Sequence, residues 1–211
     1  MLDFLSTIYH YCEENSKDMD PLLTDLERAT HLQTTNPRML SGTLQGLFLQ
    51  MISTLINPSQ VLEIGTFTGY SAICLAKGLK KDGQLITIDN NPETLTLAHS
   101  YFIKAGLSEK ISIRQGNALD IIPTINRKYD LVFIDADKEN YANYYHLVKP
   151  MMNQGGYILL DNMLWSGKVL EESQDAKTKI LHELNQYICQ DKDVENILIP
   201  LRDGINMVRI L

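Results

Sequence analysis

From Gln60 onward, short apolar runs alternate with stretches of helical period, and the apolar runs stop at acidic residues. "QVLEIGT" gives way to the helical "GYSAICLAKGL", "QLITIDNNP" to "ETLTLAHSYFIKAG", and "KISIRQGNA" to "ALDIIPTI". "YDLVFIDAD" is followed by "NYANYYHLVKPMM", and "GGYILLDNM" by "DAKTKILHELNQYICQ". Strands that alternate with helices specify a parallel sheet covered on both faces. The last segment, "ENILIPLRDGINMVRIL", breaks the rhythm. Two β runs flank Asp203-Gly204, so the final strand is expected to return antiparallel to the one before it. Ligands of such sheets sit outside the carboxyl ends of the strands. There the sequence places Glu63 and Gly65, then Asp89, Asp135 and Asp161. Topology thus gathers acids that are scattered in the chain.

The N-terminal part differs in kind. Residues 1–35 read as amphipathic helix, broken near "SKDMDP", and "TTNPRM" reads as a turn. In "SGTLQGLFLQMISTLI", Leu44, Leu47, Phe48, Met51, Ile52, Leu55 and Ile56 recur at helical period, which predicts a helix burying that stripe. One domain over 1–211 is expected, with a helical cap over 1–56 and the strand–helix core over 57–211. Hydrophobic residues, 44% of the 211, supply a core of that size. A net charge of −7 and a pI near 5.2 argue against a chain that coats nucleic acid by bulk electrostatics. Cys12, Cys74 and Cys189 follow no metal-binding spacing and read as reduced, buried thiols. Asp3, Glu13 and Glu14 interrupt any early signal-like patch, and no run is expected to reach bilayer-spanning length. A cytoplasmic protein without membrane partners is the expectation.

"LEIGTFTGYS" is a strand-to-helix turn with glycines at 65 and 69. It is neither the dinucleotide pattern G-x-G-x-x-G nor a phosphate loop. Phe67 occupies the middle glycine position, which leaves a pyrophosphate little room. Asp89, at the end of the next strand, is placed to accept the hydroxyls of a ribose, and Glu63 tolerates a cationic ligand. A nucleoside with positive charge and no phosphates, such as S-adenosylmethionine, has both properties. The alternative is that the glycines serve packing and that Asp89 caps the next helix.

Asp135, Asp161 and Asn162 offer two carboxylates and an amide at adjacent strand ends. Hard oxygen donors of this kind suit Mg²⁺ or a similar ion; equally, they could be a turn and a helix cap. Lys138 follows Asp135 by three residues, so on a helical turn the two face the same way. Desolvation beside a cation lowers an amine's pKa and makes it a base; a salt bridge to Asp135 or Asp137 is the simpler role. Asp137 faces either ligand or solvent.

Taken together, "VLEIGTFTGYS", "DADKENY" and "DNMLWSGKV" resemble the cation-dependent O-methyltransferases, the group of the catechol and caffeoyl-CoA enzymes and their small bacterial relatives. The resemblance runs from about Arg38 to the "RDGINMVRI" ending. It implies a class I S-adenosylmethionine-dependent methyltransferase fold: Rossmann-like α/β, with a seven-stranded, mainly parallel sheet, an antiparallel last strand, helices on both faces and an N-terminal helical cap. It implies Mg²⁺, Mn²⁺ or Ca²⁺ on Asp135, Asp161 and Asn162, with Lys138 as the base. Ser41, Glu63, Gly65, Ser71, Asp89, Ala118, Asp135 and Asp137 would contact S-adenosylmethionine. Met39 and Trp165 would line the substrate mouth, or else pack in the core. The implied reaction is methyl transfer to a catechol-type hydroxyl of a small molecule. The segment after Trp165 lacks the acceptor-binding insertion of the plant enzymes, which favours a bacterial-type acceptor. Relatives that methylate a hydroxylated uridine make tRNA the alternative partner, with Arg28, Arg38, Lys168, Lys177 and Lys179 as a basic rim. A nucleotide-binding dehydrogenase lacks its glycine motif, and a non-catalytic module would not keep the Asp135/Lys138/Asp161/Asn162 set. Family members are often dimers, with the apolar N-terminal helices as the implied interface.

Overall fold

A computed structural model describes residues 2–211, with side chains from residue 7 onward. Met1 and the side chains of residues 2–6, among them Asp3, lie outside it. Seven strands form one sheet: β1 (Gln60–Ile64), β2 (Gln84–Asp89), β3 (Ile111–Gln115), β4 (Tyr129–Ile134), β5 (Met152–Leu160), β6 (Val194–Ile199) and β7 (Ile205–Ile210). Their spatial order is β3-β2-β1-β4-β5-β7-β6. The first five pair in parallel, whereas β7 runs antiparallel to both β5 and β6. The antiparallel last strand was expected. Its insertion between β5 and β6 was not, because a turn fixes only which strand pairs with its sequence neighbour.

Successive side chains of a strand point to opposite faces, and both faces are apolar here. Leu62 and Ile64 of β1, Val132 and Ile134 of β4, and Ile158 and Leu160 of β5 join one core. Val61, Leu131, Phe133 and Leu159 join the other. The first core is closed by α6 (Ala118–Ile121), α7 (Tyr141–Val148) and α8 (Ala176–Gln190). The second is closed by α2 (Pro21–Gln33), α3 (Gly42–Ile56), α4 (Tyr70–Ala76) and α5 (Pro92–Lys104). α1 (Leu2–Glu14) contacts α3. Side-chain caps set several starts: Asp20 accepts from the Leu22 amide, Asn91 from Glu93, and Asp175 from Thr178. Proline at the first turn of α2 and α5 pre-sets the backbone angle there.

Three expectations need correction. The face that α3 buries fully is Gln45, Gly46, Leu49 and Ser53; of the expected stripe, Phe48, Ile52 and Ile56 pack against the core partly buried, while Met51 is 65% and Leu55 78% exposed. Close approach decides this. A Cβ on Gly46 would lie 2.7 Å from the Tyr70 ring, and the Ser53 hydroxyl bonds the Leu75 carbonyl of α4 at 2.6 Å. Pro37–Ile56 does reach bilayer-spanning length, 20 residues at a mean hydropathy of 1.3, but a third of it is buried and Leu40–Ser41 divides it into a 3-10 turn and α3. Of the cysteines, only Cys74 is buried, its thiol pushed up to about 12 by desolvation; Cys12 and Cys189 are exposed.

Candidate active site

The order of strands reverses between β1 and β4, where open parallel sheets bind their ligands. A cleft of about 750 Å³ lies there. Met39, Ser41, Gly65, Ser71, Asp89, Ala118, Asp135, Asp137, Lys138, Asp161, Asn162 and Trp165 all line it. Every cofactor, metal, base and mouth candidate from the sequence is thus gathered in one place except Glu63, which is fully buried and does not line the cleft.

The glycine turn packs tightly. A Cβ on Gly65 would sit 1.9 Å from the Asp135 carbonyl, and one on Gly69 2.5 Å from the Phe102 ring. Both glycines therefore have packing reasons, and Gly65 brings the ends of β1 and β4 together. Asp89 does not cap α5, a task Asn91 performs. Its Oδ2 accepts from the Phe67 amide at 2.8 Å and its Oδ1 from the Asn91 amide at 3.0 Å, so the turn orients it toward the cleft. Beneath, Glu63 Oε2 accepts from the Thr87 hydroxyl. Oε1 has no well-formed hydrogen bond, and the Ser71 hydroxyl acts on the carboxyl as a whole. Desolvation, opposed by those hydroxyls, pushes this carboxyl up to about 8. Raised this far and sealed from the cleft, the carboxyl supports the turn from below rather than meeting a ligand directly.

At the neighbouring strand ends, Asp135 and Asp161 continue β4 and β5, and the amide of Asp161 bonds the Ile134 carbonyl at 3.0 Å. Lys138 begins a 3-10 turn, Lys138–Asn140, which Asp135 precedes, so the two do not share the helical turn expected from the sequence. Its Nζ lies 3.1 Å from Asp135 Oδ1 and also donates to the Tyr141 hydroxyl. The salt bridge weighed as the simpler role for Lys138 is therefore present. Burial first, then the charge of Asp135, pushes the Tyr141 hydroxyl well above its usual range. Burial and Asp135 likewise push Asp161 up to about 7, against hydrogen bonds from Gln45 and the Asn162 amide. Asn162 takes a left-handed conformation, φ 58°, and its amide faces Asp203. Among the described residues no group of three or more His, Cys, Asp and Glu is spaced to hold a metal. The donor set is two carboxylates and an amide oxygen, all hard, with like-charge strain that a divalent cation would relieve.

Asp137 is exposed, and its carboxylate accepts from Asn140 of the turn it begins and from Tyr144 of α7. Met39 is 60% exposed and so not core, whereas Trp165 both packs against the core and lines the cleft. Of the five basic rim candidates, Arg38 and Lys177 line the cleft; Lys177 pairs with Glu139 at 3.2 Å and Lys179 with Glu183 at 3.8 Å. Sequence reading missed Gln45, Tyr141 and Arg202; the last two had only their position near a strand end or turn as a signal, and Gln45, inside α3, had none.

Sheet order, acid-lined crevice and glycine turn define a class I S-adenosylmethionine-dependent methyltransferase, with the Rossmann-like fold expected. A profile of the O-methyltransferase family matches residues 13–211. Caffeoyl-CoA O-methyltransferase 2 of Populus trichocarpa is 34% identical, the match covering 81% of this chain and 74% of the relative. Caffeoyl-CoA O-methyltransferase of Eucalyptus gunnii is 33% identical over 96% of this chain and 86% of the relative. Among solved structures, the O-methyltransferase TomG of Streptomyces achromogenes, involved in tomaymycin synthesis and in complex with S-adenosylmethionine, is 27% identical. It superimposes with a TM-score of 0.90, covering 97% of this chain and 96% of that one. The chain belongs to the O-methyltransferase family and is an S-adenosylmethionine-dependent O-methyltransferase of the caffeoyl-CoA type.

Proposed function

We propose that this enzyme methylates one hydroxyl of a vicinal-diol or catechol-type small molecule, and that it requires a divalent cation, Mg²⁺ or else Mn²⁺ or Ca²⁺. The observation that carries the reading is the juxtaposition at one cleft of Asp135, Asp161 and Asn162 with Lys138, whose Nζ is 3.1 Å from Asp135. When bound, the cation supplies positive charge that lowers the pKa of a chelated hydroxyl, and S-adenosylmethionine supplies the methyl group. Asp135, Asp161 and Asn162 would hold the cation; Ser41, Gly65, Ser71, Asp89, Ala118 and Asp137 would line the cofactor's part of the cleft, with Glu63 supporting it from below. Lys138, as the free amine, would take the acceptor's proton on Nζ. Asp135 and Tyr141 keep that nitrogen at the cleft, and Met39 and Trp165 confine the acceptor near it.

The enzyme acts as one domain over 1–211, with α1–α3 as its cap. It works in the cytoplasm as a homodimer, which the exposed apolar side chains of α3 support. A tRNA hydroxyuridine is the second acceptor reading, supported by Arg38 and Lys177 at the mouth. Transfer from labelled S-adenosylmethionine to a catechol panel and to undermodified tRNA decides between them. Label on the catechols alone supports the first reading; label on tRNA alone replaces it with the second.

A further inference from the structure

Behind Asp161 lies a line of polar side chains that the proposed chemistry does not use. Gln45 of α3 is fully buried. Its Nε2 donates to Asp161 Oδ2 at 2.7 Å, and its Oε1 accepts from Arg202 Nη1 at 3.1 Å. Arg202, in the turn between β6 and β7, also donates to the Ser41 carbonyl. A guanidinium only donates, so it selects the carbonyl oxygen of Gln45 and turns the amide's NH₂ toward Asp161. The amide orientation follows from that pairing. The other Asp161 oxygen, Oδ1, accepts from the Asn162 amide at 2.8 Å. One donor thus holds each oxygen, and each keeps lone-pair capacity for a further partner.

We propose that Gln45, anchored by Arg202, is a positioning residue that fixes the Asp161 carboxylate in the orientation a divalent cation requires. The inference rests on the reading above that Asp161 holds that cation. It assigns α3 and the β6–β7 turn a share in cation affinity, although neither supplies a ligand. Outer partners of metal-binding carboxylates act in this way, and their loss weakens metal binding by about 10–100-fold. The competing account is that Gln45 only satisfies buried polar groups where α3 meets the sheet.

Calorimetric titration of the full-length chain with Mn²⁺, and separately with S-adenosylmethionine, distinguishes the two. Gln45→Leu is expected to raise the Mn²⁺ Kd about 10–100-fold while leaving S-adenosylmethionine affinity within about twofold. Arg202→Met is expected to weaken Mn²⁺ less. The double variant should bind Mn²⁺ no more weakly than Gln45→Leu alone, because both act through one amide. Wild-type Mn²⁺ affinity in Gln45→Leu, additive losses in the double variant, or equal losses for both ligands would overturn the proposal. If Gln45→Leu does not fold, unchanged Mn²⁺ affinity in Arg202→Met overturns it instead. A wild-type chain that binds no Mn²⁺ defeats the cation reading and this inference together. Wild-type binding with an unaffected Gln45→Leu defeats the inference alone.

Discussion

In the proposed mechanism Lys138 is the proton acceptor. Replacing it with methionine keeps its bulk beside Tyr141 and removes the proton acceptor. Turnover is expected to fall by roughly 10²–10⁴-fold with S-adenosylmethionine affinity unchanged, measured by initial rates and calorimetry; wild-type turnover would remove it as base. Glu63 makes a prediction about pH. Burial raises its carboxyl from 4.5 to about 8 in the folded chain. A raised folded pKa stabilises below the unfolded value, and that contribution is lost as pH rises through the folded one. The Tm of the cofactor-free protein should therefore fall between about pH 4.5 and 8, and Glu63→Gln should flatten the slope; parallel pH profiles would contradict this. The meeting of Asp135, Lys138, Asp161 and Asn162 at one cleft was legible from strand ends and a three-residue spacing, although the roles proposed for them come from the family resemblance. Gln45 was not, since its partners Asp161 and Arg202 lie 116 and 157 positions away in sequence. Glu63 was legible as important, but its depth below the cleft depends on which face of β1 turns inward.

Among the elements, the glycine turn and the loop after β5 have the least freedom. Gly65→Ala would drive a Cβ into the Asp135 carbonyl at a position with φ 100°. Strain and overpacking there should cost roughly 2–4 kcal/mol, read as a lowered denaturant midpoint; an unchanged midpoint would show that the two strand ends do not need this contact. The loop after β5 carries Asn162, Trp165, Ser166 and Gly167 at positive φ. The β6–β7 turn holds it through the carbonyls of Asp203 and Gly204, which bond the amides of Leu164 and Met163, and through the Asp203 carboxylate on the Ser166 amide. Such strain persists where surrounding bonds over-determine the chain, commonly at functional sites. Strands and helices were readable from period and caps. The orientation of α3 was not, because hydropathy favoured the apolar stripe while Gly46 and Ser53 admitted the close approach of α4.

For the molecule as a whole, alternation read from Gln60 onward sufficed to give a parallel sheet with its ligands at one edge. The insertion of β7 required the chain to be closed in three dimensions. The exposed side chains of α3 bear on assembly. If they meet a second copy, Met51→Lys with Leu55→Glu should convert a dimer to a monomer by sedimentation; an unchanged dimer would place the interface elsewhere. The central claim joins this sheet edge to cation-dependent methyl transfer. Its most direct measurement is transfer of labelled methyl from S-adenosylmethionine to a catechol, before and after EDTA, with Mg²⁺ then restored. The account predicts transfer that stops with chelation and returns with Mg²⁺. Transfer that continues undiminished in EDTA would contradict it.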